Sequence, residues 1–209
     1  MKVTYFLIGV LTISLLVSCK SKKKLAEKKV KTTHQEIVVK SSRDTNSKKV
    51  AIQSNANSTI KNSTLEYIEQ FKDAAMRDMR NYKIPASIKL AQGILESSSG
   101  NSQLTRRSNN HFGIKCHKGW EGDKTYHDDD EKGECFRVYK DPANSYRDHS
   151  LFLTSRSRYS KLFKLKPGDY VKWAKGLSEA GYATDRRYPA KLIAIIEKYD
   201  LHKYDTQVL

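Results

Sequence analysis

An apolar stretch that has to be buried ends by carrying one carboxylate into a run of small residues, and this feature constrains the chain most. Ile88, Ala91, Ile94 and Leu95 recur at three- and four-residue spacing, the period of a helix with one apolar face. Pro85 suits the first turn, where its missing N–H costs nothing. Ser97, Ser98 and Ser99 weaken the helix, and Gly100 is a natural C-terminal cap. The expectation is a core helix with Glu96 in its last turn, near the negative end of the helix dipole. The dipole disfavours an anion there, so the pKa of Glu96 should be raised. That is the state a general acid needs at neutral pH. A solvated glutamate closing a helix would have the same local sequence.

The rest of the chain supplies appendages and one domain. Lys2 followed by the apolar stretch Tyr5 to Val17 has the form of an export signal, too short to span a bilayer. The segment Leu16-Val17-Ser18-Cys19 resembles a bacterial lipoprotein processing site, which implies removal of residues 1–18 and a lipid on Cys19. An ordinary signal peptide with a chance cysteine is the alternative. Residues 19–62 read as a disordered basic tether. From Lys20 to Ser63 there are twelve Lys or Arg against three Asp or Glu, and no Phe, Tyr, Trp or Pro, so little apolar surface is available to offset chain entropy. Beside a lipid, these lysines suit an anionic membrane surface. Of the total charge of +16, about +6 belongs to the remainder, so the basicity argues little for nucleic acid, and none is expected as a partner.

Folded structure is expected over residues 63–204. Ser63-Thr-Leu-Glu66 has capping-box spacing ahead of Leu65, Ile68, Phe71, Ala75 and Met79. Residues 112–139 change to short runs with Gly119, Gly122 and Gly133, which suggests a hairpin. Helices should follow from Asp141-Pro142, over 169–180 up to Gly181, and from Pro189. The class is α+β, mainly α, a helical domain with one small β element. Cys116 and Cys135 form an even pair in an exported chain, so a disulfide is expected, worth about 3 kcal/mol in the loop-closure account.

Candidate chemistry beyond Glu96 is limited. Asp128-Asp129-Asp130-Glu131 is either a charged hairpin tip or the partner carboxylate of glycoside hydrolysis. His111, Cys116, His117, His127 and Cys135 do not have zinc spacing, and the contiguous acids do not have calcium-loop spacing, so no metal and no cofactor are expected. Phosphate-loop and nucleophile-elbow patterns are absent from the sequence. Trp120, Tyr126, Tyr139, Tyr182 and Tyr188 are candidates to stack on sugar faces. Tyr182, in a turn straight after a helix, is placed to project into a cleft.

Four segments in order resemble glycoside hydrolase family 73: Ala91–Ser97 with Gly100, Asn110-His-Phe-Gly-Ile-Lys115, Phe136-Arg-Val-Tyr139, and Glu179–Asp185 followed by Tyr188. They cover roughly residues 65–200. The resemblance implies a lysozyme-like helical fold with a small β-lobe, and cleavage of the glycan strands of peptidoglycan at N-acetylglucosamine. It implies Glu96 as general acid and a second carboxylate in the acid run. Counting back from Gly133 favours Asp129, with Asp128 or Asp130 as alternatives. Asn110 and Phe112 would shape the cleft, Tyr182 would lie near the scissile sugar, and Tyr188 would bind substrate. The second carboxylate would activate water, unless the substrate's own acetamido group attacks. The expectation is a monomeric, lipid-anchored endo-β-N-acetylglucosaminidase of the cell envelope, periplasm-facing or on the cell surface. A lytic transglycosylase or a non-catalytic cell-wall-binding module are the alternatives.

Overall fold

The computed structural model describes residues 45–129 and 131–209, with side chains from Ser63 onward. The expected export signal, lipidation at Cys19, the tether up to residue 44, and Asp130 lie outside the described residues. In chain order the elements are α1 (Thr45–Tyr82), α2 (Ala86–Ser97), α3 (Gln103–Ser108), β1 (Lys124–His127), β2 (Glu134–Arg137), α4 (Pro142–Thr154), α5 (Tyr170–Glu179), α6 (Tyr188–Lys198) and α7 (His202–Thr206). Short 3₁₀ turns at Ser157–Tyr159 and Leu162–Lys164 link α4 to α5. No helix of the described residues is long and apolar enough to cross a membrane.

α2 is the centre of the domain, packed against α1, α6 and α7. Nine consecutive residues, Ala86 to Ile94, are buried, so the helix is enclosed on every side rather than on one face. Pro85 precedes the helix as N-cap rather than occupying its first turn, and supplies no side-chain cap. Asp205 on α7 does so instead, accepting from the Ser87 N–H at 2.9 Å and the Ser87 hydroxyl at 2.5 Å. A carboxylate here satisfies orphan donors and faces the positive end of the helix dipole. The C-cap is Ser98, not Gly100; Ser98, Ser99 and Gly100 all take positive φ, and the Ser98 N–H bonds back to Ile94. Gly93 leaves room on α2 for side chains from α1 and α4, since a Cβ there would meet the hydroxyls of Tyr67 at 2.5 Å and Tyr146 at 2.8 Å.

α1 differs from expectation in two ways. It begins at Thr45, not at Ser63, so residues 45–62 are helical where a tether was expected. Neither Pro nor Gly interrupts Thr45–Tyr82, and the backbone continues through the capping-box sequence. Thr64 instead bonds Ser99 Oγ at 2.9 Å. Leu65 is exposed, and the buried stripe is Tyr67, Ile68, Phe71, Ala75 and Met79.

The β element is one antiparallel hairpin, with Thr125 opposite Phe136 and Tyr126 opposite Cys135. Cys116 and Cys135 are bridged, which ties the preceding loop to β2. The expected helices after residue 140 are present, each opened by an aspartate where one was available: Asp141 accepts from Ala143 N–H, and Asp169 from Lys172 N–H. α3 and α7, six and five residues long, lack the length for a periodic signal. The mainly helical α+β architecture with a small β-lobe is the one expected.

Candidate active site

α2 ends at the floor of a cleft of about 480 Å³, between the 110–117 loop, α4 and the turn from α5 to α6. Glu96, Phe112, Lys115, Tyr182, Tyr188 and Lys191 line it. Glu96 is exposed to the cleft, and the protein beside its carboxylate removes part of its solvent. That loss of solvent is the main reason its pKa is raised; the charge of Asp129 adds to the effect, while the Tyr188 hydrogen bond and Lys191 oppose it. The expected direction is found, with desolvation as its main cause.

Tyr188 is buried, and its hydroxyl donates to Glu96 Oε1 at 2.9 Å. Its place follows from the turn before α6, where Tyr188 N–H bonds the Asp185 carbonyl and Asp185 Oδ2 holds Lys191 at 2.7 Å. Gln92, one turn before Glu96, donates to Tyr188 Oη at 3.0 Å, and its Oε1 is buried with no hydrogen-bond partner among the described residues. Tyr182 leaves α5 after Gly181, with its N–H on the Leu177 carbonyl. Its ring stacks on Tyr188 with centroids 5.6 Å apart, and its hydroxyl lies 3.0 Å from His149 Nε2. Phe112 stacks on His149 at 4.2 Å. Tyr182, Tyr188 and Phe112 therefore line the same cleft as Glu96, and Tyr188 bonds it directly.

The acid run resolves into different environments. Asp128 Oδ1 accepts the Gly133 N–H at 2.7 Å, which closes the hairpin turn. Asp129 is exposed, lies 3.8 Å from Lys115 Nζ, and acts on Glu96 by its charge. Lys115 Nζ also donates to Glu134 Oε1 at 2.7 Å.

Four candidates do not reach the cleft. Asn110 is 1% exposed, and its side chain bonds Ile114 N–H, Ile114 carbonyl and Arg137 carbonyl. It shapes the loop that carries Phe112 and, buried among these bonds, does not face the cleft. Trp120 lies against the Arg137 guanidinium, Tyr126 projects from the hairpin, and Tyr139 is buried with its hydroxyl on Asp148. Stacking candidates on the lobe were legible as aromatic but not as facing away. Of the cleft residues missed from the sequence, Gln92 had a signal, its four-residue spacing from Glu96, whereas His149 and Lys191 had none. Among the described residues no group of three or more His, Cys, Asp or Glu side chains is arranged to hold a metal.

The comparisons agree with this geometry. Exo-glucosaminidase LytG of Bacillus subtilis is 38% identical over 148 residues, covering 66% of this chain and 52% of that protein. Peptidoglycan hydrolase FlgJ of Vibrio parahaemolyticus is 30% identical over 145 residues, covering 64% of this chain and 47% of its own length. The chain thus spans about half the length of these curated relatives. The glycoside hydrolase domain of Salmonella typhimurium FlgJ superposes with a TM-score of 0.58 at 27% identity, covering 69% of this chain and 92% of that structure. The family model described as mannosyl-glycoprotein endo-β-N-acetylglucosaminidase matches residues 72–201, and the chain belongs to this glucosaminidase family.

Proposed function

We propose that the protein is a peptidoglycan hydrolase that cuts glycan strands internally at N-acetylglucosamine, with Glu96 as general acid. One observation carries this reading: a carboxylate open to the cleft, kept protonated toward higher pH by its surroundings and held in place by Tyr188. In the proposed step Glu96 gives its proton to the leaving glycosidic oxygen, and Asp129 faces the developing positive charge or activates water. Phe112 and Tyr182 offer aromatic surface to the sugar. The positive charge of the domain suits an anionic wall, and FlgJ relatives named as peptidoglycan hydrolases support the substrate class. We further propose that residues 1–18 are removed, that a lipid on Cys19 anchors a monomer in the envelope, and that residues 63–204 are the catalytic domain.

Digestion of purified peptidoglycan, with fragment ends identified by mass spectrometry, tests the reading. Mixed-length fragments bearing reducing N-acetylglucosamine ends are expected. Anhydromuramyl ends would make the protein a transglycosylase, binding without cleavage would make it a wall-binding module, and release of single sugars alone would overturn internal cutting. Substitution Cys19→Ala should move the protein from the membrane to the soluble fraction.

A further inference from the structure

The cleft that holds Glu96 has a side cavity to which the catalytic step above gives no task. It holds about 270 Å³, and Ile114, His117 and Phe152 line both spaces, so the two share a wall. Leu151, Asp148, Arg137 and Arg156 line the side cavity and not the cleft. Asp148 is buried and already engaged: Oδ2 accepts from Arg137 at 2.9 Å and from the Tyr139 hydroxyl at 3.2 Å, and Oδ1 accepts from Arg147 at 3.2 Å. Two guanidiniums therefore offset its one charge.

Arg156 is differently placed. It follows α4 and folds back on the last turn of that helix: its guanidinium carbon lies 3.7 Å from the centre of the Phe152 ring, and Nη1 donates to the Phe152 carbonyl at 3.1 Å. Nη2 lies 3.3 Å from His117 Nε2, and because an arginine only donates, that nitrogen accepts. Stacking on the shared wall fixes the guanidinium fork before any ligand arrives. Among the described residues no carboxylate pairs with Arg156, and its charged neighbours are cations. Burial and then the charges of Arg158 and Arg137 lower its pKa, while burial and then Arg156 and Arg137 lower that of His117. A fixed guanidinium in a like-charged surrounding, with N–H groups to spare, is a seat for an anion.

We propose that the side cavity takes a carboxylate of the peptide borne by a peptidoglycan strand, and that Arg156 is the residue that binds it. The enzyme then holds peptide-bearing strands more tightly than strands without that charge. The inference rests on the reading that the cleft takes peptidoglycan. A strand lying in the cleft carries its peptides as side branches, and a small cavity joined to the cleft by a shared wall is placed to receive a branch. A phosphodiester of a wall polymer would meet the same guanidinium. The apolar surface of Ile114 and Leu151 beside it favours a peptide, which brings short apolar side chains along with its carboxylates.

Soluble peptide-bearing glycan strands, free of phosphate polymers, titrated into the full-length Glu96→Gln protein give a Kd without turnover. Adding R156Q should weaken that binding about ten-fold, the scale of a charge-assisted hydrogen-bonded pair. Strands whose carboxylates have been capped as neutral amides should bind the Arg156 protein more weakly by a similar factor, and R156Q should cost them nothing further. An unchanged Kd in R156Q, or an equal loss on native and capped strands, would overturn the proposal. Displacement of the strands by a soluble glycerol phosphate polymer, seen with Arg156 and absent in R156Q, would assign the cavity to phosphodiesters and overturn the peptide assignment. Should R156Q not fold, the capped strands decide on the Arg156 protein, where an unchanged Kd refutes the carboxylate. Failure to bind either kind of strand would overturn the peptidoglycan reading itself, whereas binding that ignores Arg156 sinks this inference alone.

Discussion

Tyr188 Oη donates to Glu96 Oε1 at 2.9 Å, so the residue that opens α6 holds the acid that closes α2. The bond favours the carboxylate and opposes the desolvation that raises the Glu96 pKa. Tyr188→Phe should therefore raise that pKa further. An acid must be protonated to act, so the alkaline limb of kcat should shift to higher pH, while the plateau falls about ten- to hundred-fold as the carboxylate loses its orientation. A pH–rate profile of the variant reads both effects.

Asp129 acts in the opposite sense, since its negative charge raises the Glu96 pKa. Asp129→Asn should move the alkaline limb to lower pH and reduce kcat about ten- to thousand-fold. Asp128→Asn serves as the contrast. Its carboxylate is engaged by the Gly133 N–H, so the substitution should soften the hairpin turn and leave the limb unmoved. Paired profiles of the two variants separate the neighbouring aspartates.

The raised pKa of Glu96 has a consequence for stability. Between the ordinary carboxylate value and the raised one, the folded protein binds more protons than the unfolded chain. Stability therefore falls as pH rises through that window and stays lower above it. Glu96→Gln removes the ionisation, so its Tm should exceed that of wild type at neutral pH. The difference should vanish below the ordinary carboxylate range, as melting curves across pH will show.

Gly93 lies under the hydroxyls of Tyr67 and Tyr146, which are themselves bonded at 2.9 Å. Gly93→Ala gains helix propensity, worth about 1 kcal/mol, but forces two buried rings apart. Overpacking of this kind costs about 1–3 kcal/mol, so the net change in chemical denaturation should be a loss.

Much of this was legible before any coordinates. The spacing of Ile88, Ala91, Ile94 and Leu95 located α2, and Asp141-Pro142 located the start of α4, because local periodicity and capping are written in adjacent residues. The position of Glu96 in the last turn came with them. What adjacent residues do not encode is enclosure. α2 is buried on every side because α7 returns to cap it through Asp205, a partner 118 residues away. The burial of Lys89 and His149 is likewise not written in adjacent residues: Asp78 on α1 and Tyr146 on α4 hold Lys89, and Lys89 on α2 with Tyr182 hold His149. The lobe aromatics lie away from the cleft because residue type shows what a side chain can bind, while the fold decides which way it faces.

Turnover of peptidoglycan by wild type and Glu96→Gln, with Tyr188 and the fold left intact, tests the central claim most directly. The account predicts that the variant binds sacculi as wild type does and loses about 10³-fold or more in kcat, the scale of a missing general acid with its orienting network. An unchanged turnover in the folded variant would contradict it.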